Sequence, residues 1–201
     1  MKTNIFINGL QRSGTNYALE LFKNNLPDCN VSDYTEEYTK HNMFNKEHTL
    51  NNYTTITIIK NPYTWIESIC FRNCVDIIEY YSDYKLCNGE YIIGNFNISL
   101  KNILKLYKDY YLGWLNNSIL MRYEDIINQV TATKKINKII NLSNKIEIPN
   151  YLVKQSAFFK FEQIREYQNF ETKYLTSEDI GYINDALEES FIEIIGYNVK
   201  K

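Results

Sequence analysis

The chain has 201 residues, enough for one domain with a sizeable core and no need of disulfide or metal staples. With 22 Lys and Arg against 24 Asp and Glu, its net charge of −2 excludes the overall basic field of a nucleic-acid binder, but leaves room for a local basic pocket. Four cysteines (Cys29, Cys70, Cys74 and Cys87) form no CxxC pair and match no histidine spacing, so neither zinc nor a thioredoxin-type motif is expected. An apolar strand pattern begins almost at Met1 and no apolar run reaches spanning length. The expectation is a cytoplasmic chain without signal peptide or transmembrane segment.

In chain order, residues 3–8 read as a buried parallel strand. They run into Gly9 and a polar turn, Gln11-Arg12-Ser13-Gly14-Thr15, and residues 15–26 follow with helical periodicity up to Pro27. Strand, glycine turn and helix form a phosphate-binding layout, because backbone N–H groups and the helix dipole converge on one spot. Gly14 lets the backbone approach an anion, Arg12 offers a two-pronged guanidinium, and Ser13 and Thr15 add hydroxyls. Gly9 and Gly14 have the spacing of the nucleotide-hydrolase P-loop, but Thr15 stands where that motif has its Lys.

Residues 27–52 are polar and rich in breakers, and contain Lys40-His41 and His48. The β-branched run 54–60 predicts a second buried strand, stopped by Asn61-Pro62. Helical spacing then runs from Tyr63 to about Tyr81, with Cys70 and Cys74 one turn apart as apolar packing. Residues 82–98 read as a surface excursion, and Leu100 to about Asn116 as a long helix. Its Tyr107, Tyr110, Tyr111 and Trp114 suit a core or a cleft wall better than a base-stacking platform. Residues 118–122 predict a third strand, followed by a helix from Glu124 to near Ile140. A further helix is expected around Phe158–Gln168, and Thr176, with Asp179 three residues on, caps a final one. Alternating strands and helices predict a single α/β domain over 1–201, a three-layer α/β/α arrangement with a mostly parallel sheet.

The second strand ends Lys60-Asn61-Pro62, and Ser68 lies eight residues beyond Lys60. If Pro62 opens the helix, both can face the crevice at the carboxyl edge of the sheet. Together with Q-R-S-G-T-N-Y (Gln11 to Tyr17), this resembles the sulfotransferase family that uses 3′-phosphoadenosine 5′-phosphosulfate (PAPS). That family places an R-S-G-T or K-S-G-T turn after its first strand and an R-N-P strand end with a Ser eight residues past the Arg. I-L-M-R-Y-E-D, Ile119 to Asp125, is similar to a third family element, and the pattern from Leu175 to Gly196-Tyr197 is weakly similar to its closing helices. Lys60 here replaces the usual Arg, which keeps the charge but loses the bidentate grip. The late basic glycine loop of many relatives is not recognisable, and Lys154, Lys160 and Arg165 are the substitutes available.

The resemblance implies a P-loop-containing sulfotransferase-like fold and transfer of a sulfuryl group to a hydroxyl or amine acceptor, with adenosine 3′,5′-bisphosphate as product. Arg12, Ser13, Gly14, Thr15 and Asn16 would hold the 5′-phosphosulfate, and Lys60 and Ser68 the 3′-phosphate, with no metal. His41 is the candidate general base, with His48, Glu36 and Glu37 as alternatives, and Lys40 would stabilise sulfuryl oxygens. The acceptor would be a small molecule, carbohydrate or lipid; neither nucleic acid nor a membrane span is expected. A P-loop kinase or phosphohydrolase is the competing enzyme class, disfavoured by the missing Lys and by Lys60, rather than an Asp, closing the strand. A non-catalytic nucleotide-binding module is the third reading.

Overall fold

The computed structural model describes residues 2–47, 50–70, 75–87, 92–93, 98–140, 151–152, 162–163, 172 and 174–200. Along the chain these form β1 (Thr3–Asn8), α1 (Thr15–Asn25), β2 (Cys29–Ser32), β3 (Thr54–Ile59), α2 (Pro62–Cys70), α3 (Val75–Tyr80), β4 (Ile92–Ile93), β5 (Ile98–Ser99), α4 (Leu100–Leu115) and β6 (Ile119–Arg122). Then come α5 (Tyr123–Ile126), α6 (Gln129–Ile140), β7 (Tyr151–Leu152), β8 (Glu162–Gln163), α7 (Ser177–Leu187) and α8 (Glu189–Ile194). Among the described residues no helix is long and apolar enough to cross a membrane.

The main sheet has the order β2-β1-β3-β6, and all three pairings are parallel. Its two central strands are buried on both faces over most of their length, which is why Ile, Phe and β-branched Thr fill them and no charged residue interrupts them. The alternation of side chains across a strand divides the core in two. Ile5, Ile7, Ile56, Ile58 and Met121 pack with Tyr17, Leu21 and Phe22 of α1 and with Ile126 and Ile136 of α5 and α6. Phe6 and Ile59 belong to the larger opposite cluster, with residues of α2, α4, α7 and α8. The three expected strands are present, and the sheet gains one more. β2 (C-N-V-S) sits at an edge with only Val31 buried, so backbone pairing to β1 holds it and no apolar period announces it.

Helix boundaries follow local chemistry. Pro62 opens α2, where its missing N–H costs nothing, and the Asn61 side chain accepts the Tyr63 N–H at 3.1 Å. The stretch expected as one helix from Tyr63 to Tyr81 gives α2 and α3, and 71–74 lie outside the described residues. The helix expected over 124–140 is broken at Asn128, whose side chain accepts the N–H groups of Val130 and Thr131 and so starts α6 afresh. Thr176 and Asp179 form the expected capping box, but the final helix is divided at Glu188, a left-handed residue with φ 62°. The helix expected around 158–168 is corrected at its two described residues: β8 (Glu162–Gln163) pairs antiparallel with β7. The aromatic run F-F-K-F just before β8 suits an extended strand as well as a helix.

The aromatic face of α4 is core, and its hydroxyls brace the strand ends. Tyr107 donates to the Lys60 carbonyl at 2.7 Å, Tyr111 to Ile58 at 3.1 Å, and Tyr110 to Lys40 at 3.3 Å. Burial raises all three phenols above their usual pKa, so they remain donors. Tyr107→Phe keeps the ring but removes a buried hydrogen bond to the Lys60 carbonyl. Urea unfolding should show a loss of about 1–2 kcal/mol through the midpoint, with an unchanged m-value.

Candidate functional site: an anion crevice at the sheet edge

From β1 the chain proceeds to β2 on one side, while β3 and β6 lie on the other. The carboxyl ends of β1 and β3 therefore flank the point where strand order reverses, the ligand-binding crevice of open α/β sheets. The glycine turn leaves one of these ends and Lys60 leaves the other.

The turn is tightly held. Gly9 donates to the Lys40 carbonyl at 2.8 Å, and the Trp65 indole N–H of α2 donates to Gln11 at 2.8 Å. A side chain at Gly9 would meet the Ile58 carbonyl at 2.5 Å. Arg12 adopts a left-handed φ of 67°, which is uncommon away from glycine, and its side chain stands exposed at the crest. Gly14, at φ 96°, is the N-cap of α1, and a Cβ there would overlap the Tyr123 ring. The first helical bond runs from Ala18 N–H to Gly14, so Thr15, Asn16 and Tyr17 keep N–H groups without an intrahelical acceptor. The Ser13 N–H, expected among the anion donors, is instead committed to Leu10 at 3.1 Å, closing the turn.

Both amide atoms of the buried Asn8 side chain lack a hydrogen-bond partner among the described residues, and the buried Ser13 hydroxyl has only the Tyr111 oxygen within reach. Tyr111 gives its own proton to the Ile58 carbonyl, so toward Ser13 it can only accept. Leaving such groups unsatisfied is costly, and they stand beneath the loop that the sequence marks for an anion.

Lys40 and His41 come against this loop. The Lys40 ammonium bonds the Asn16 side chain at 2.8 Å and the Asp33 carboxylate at 2.7 Å. The His41 Nδ1 lies 2.6 Å from the Gly9 carbonyl. A carbonyl only accepts, so Nδ1 carries the proton and Nε2 presents a lone pair. Burial pushes the imidazole down to about 4, so it is neutral at pH 7. Tyr80 stands edge-on to the ring at 6.1 Å, and Tyr81 donates to the His41 carbonyl at 2.7 Å. Glu36 and Glu37 are exposed, whereas His48, Lys154, Lys160 and Arg165 lie outside the described residues.

Lys60 and Ser68 come together across their eight-residue spacing. Lys60, 3% exposed, donates to the Ser68 hydroxyl at 2.6 Å, and Ser68 donates to Thr64 one turn back in α2. Tyr123 joins the two anchors: its ring covers Gly14, and the Lys60 ammonium lies 5.9 Å from its centroid. Glu124 accepts the Asn61 N–H at 2.9 Å and the Tyr197 hydroxyl at 2.6 Å. Sequence reading assigns Tyr123, Glu124, Asn8 and Asp33 no part in the site. Their contacts are tertiary, and the similarity of Y-E-D to a family element is the one signal that singles out the first two.

No family model, curated protein or solved structure matches this chain.

The His41 environment has a consequence for stability. Its folded pKa lies below the unfolded value near 6.5, so the protonated form disfavours the fold. Its contribution is complete above pH 6.5 and is lost as pH falls toward 4, by about 3 kcal/mol in all. Urea unfolding across this window should show that acid loss in the wild type. His41→Gln, which keeps an N–H for Gly9, should lack it.

Proposed function

We propose that the chain is a PAPS-dependent sulfotransferase of three-layer, P-loop-containing type, acting on a hydroxyl or amine acceptor. The observation that carries this reading is the pairing of two anion anchors at one strand-order reversal. One is the glycine turn ahead of α1, and the other is the Lys60–Ser68 pair on the neighbouring strand and helix. A nucleotide with phosphates on both its 5′ and 3′ positions needs two separated anchors. A nucleoside triphosphate needs one, with a Lys in the turn that this chain lacks. The unsatisfied Asn8 amide supports a polar or anionic guest at the turn.

Bound there, the donor would supply a sulfuryl group whose leaving group is the 5′-phosphate. Arg12 and the free N–H groups at the start of α1 would face the charge that gathers on that phosphate. Lys60 and Ser68 would grip the 3′-phosphate and fix the nucleotide's orientation. His41, with Nδ1 anchored on Gly9, offers Nε2 to the proton of the acceptor. A base with so low a pKa is always in its accepting form at neutral pH but is weakly basic. Contact with the acceptor and the anionic donor would raise it. Lys40, held between Asn16 and Asp33, is positioned to approach the same charge.

Thermal unfolding tests the reading. At a hundredfold excess over Kd, adenosine 3′,5′-bisphosphate should stabilise the protein by about 2.7 kcal/mol. ATP–Mg²⁺ should add much less, and Lys60→Ala should abolish the difference. A shift with ATP–Mg²⁺ alone would favour the kinase class instead. His41→Ala should retain the bisphosphate shift yet lower turnover roughly 10²–10⁴-fold on any acceptor found. Unchanged turnover removes His41 as the base.

A further inference from the structure

A carboxylate stands at the second anchor, where an anion site would be expected to have none. Glu124 follows Tyr123, whose ring lies between the two anchors. Its Oε1 accepts the Asn61 N–H at 2.9 Å and its Oε2 accepts the Tyr197 hydroxyl at 2.6 Å. Titratable and charged groups face it from every side: Lys60 at the end of β3, Arg122 at the end of β6, Tyr107 and Tyr111 on α4, and Tyr197 after α8. The phenols are neutral. Arg122 is taken by Asp125 through two contacts of 2.8 Å. Glu124 is held beside Lys60 through the N–H of the next residue, Asn61, and its negative charge acts on the buried ammonium through space.

The geometry also accommodates a neutral Glu124. Tyr197 has a second acceptor, the Ile59 carbonyl at 3.3 Å. If Oε2 gains a proton, the Tyr197 hydroxyl can turn its own proton to Ile59 and accept from Glu124. Oε1 continues to accept from Asn61, so every polar group stays paired. Burial already raises the pKa of Glu124 above that of an ordinary carboxylate.

We propose that anion binding at Lys60 and Ser68 is proton-coupled through Glu124: the incoming phosphate takes over from Glu124 as the negative charge acting on Lys60, and Glu124 takes up a proton from solvent on Oε2. A dianionic phosphate brought close to a carboxylate that is already buried penalises the ionised carboxylate further, and that added repulsion favours protonation of Glu124. The proposal rests on Lys60 and Ser68 being a phosphate anchor. It makes Glu124 a specificity-determining residue, because the site then holds a multiply charged phosphate without a buried repulsion. It also makes affinity fall with rising pH, by up to about tenfold per unit in the window where the proton is taken up.

The test is calorimetric titration with adenosine 3′,5′-bisphosphate at about pH 7.5, where phosphate monoesters, with a second pKa near 6, are already dianionic. Measuring in two buffers of different ionisation enthalpy counts the protons exchanged. Wild-type protein should take up protons on binding. Glu124→Gln, which keeps the acceptor for Asn61, should bind about tenfold more tightly at this pH with the uptake abolished. His41→Gln should retain the uptake, which separates the two titratable sites. Binding without uptake in the wild type, or uptake that persists in Glu124→Gln, overturns the proton coupling alone. No binding of the bisphosphate by folded wild type removes the phosphate anchor itself, and the coupling with it. If Glu124→Gln does not fold, Tyr197→Phe serves in its place. Loss of the hydroxyl that stabilises the carboxylate should move the fall in affinity to higher pH, and an unmoved profile overturns the proposal.

Discussion

A lysine ammonium that is almost fully buried at the end of a central strand is the constraint around which this fold is arranged. Such a charge is costly to bury unless its surroundings compensate it. Here three helices, α2, α5 and α4, hold the residue at once. Ser68 reaches back from α2, the Tyr123 ring lies below, the Glu124 carboxylate supplies opposite charge, and Tyr107 of α4 holds the Lys60 carbonyl. Each contact fixes an element relative to β3. The same contacts set the distance between Lys60 and the glycine turn, because Tyr123 also covers Gly14.

The turn is organised by a second, lighter set of restraints. Trp65 holds Gln11 from α2, and the 40–41 peptide holds Gly9 through the Lys40 carbonyl and the His41 ring. The candidate base is therefore part of the scaffold of the anion loop, not a side chain loosely placed near it. A loop that moved on binding an anion would carry His41 with it.

Much of this was legible in the sequence wherever a local pattern carries the information. β1 and β3 are legible because central strands covered on both faces carry no charged residues, β6 because its I-L-M run is apolar even though it is an edge strand, and the Lys60–Ser68 contact because eight residues across Asn61-Pro62 fix a strand-end to helix geometry. β2 is not, because C-N-V-S has one apolar aliphatic residue and its backbone pairing to β1 leaves no mark on the sequence. The breaks at Asn128 and Glu188 were lost in longer helical patterns, although Asn128 carries a capping signal. Within the site, Tyr123 and Glu124 act through partners that are distant in sequence, such as Tyr197, 73 residues from Glu124. No spacing rule could find them.

The central claim is that one ligand spans both anchors. The most direct measurement compares the binding of 5′-AMP, 3′-AMP and adenosine 3′,5′-bisphosphate to wild type, Arg12→Ala and Lys60→Ala. The account predicts that the bisphosphate binds more tightly than either monophosphate. Lys60→Ala should weaken the two 3′-phosphorylated ligands while sparing 5′-AMP, and Arg12→Ala should weaken the two 5′-phosphorylated ligands while sparing 3′-AMP. A bisphosphate that binds no better than 5′-AMP, or a Lys60→Ala effect equal on all three ligands, would contradict it.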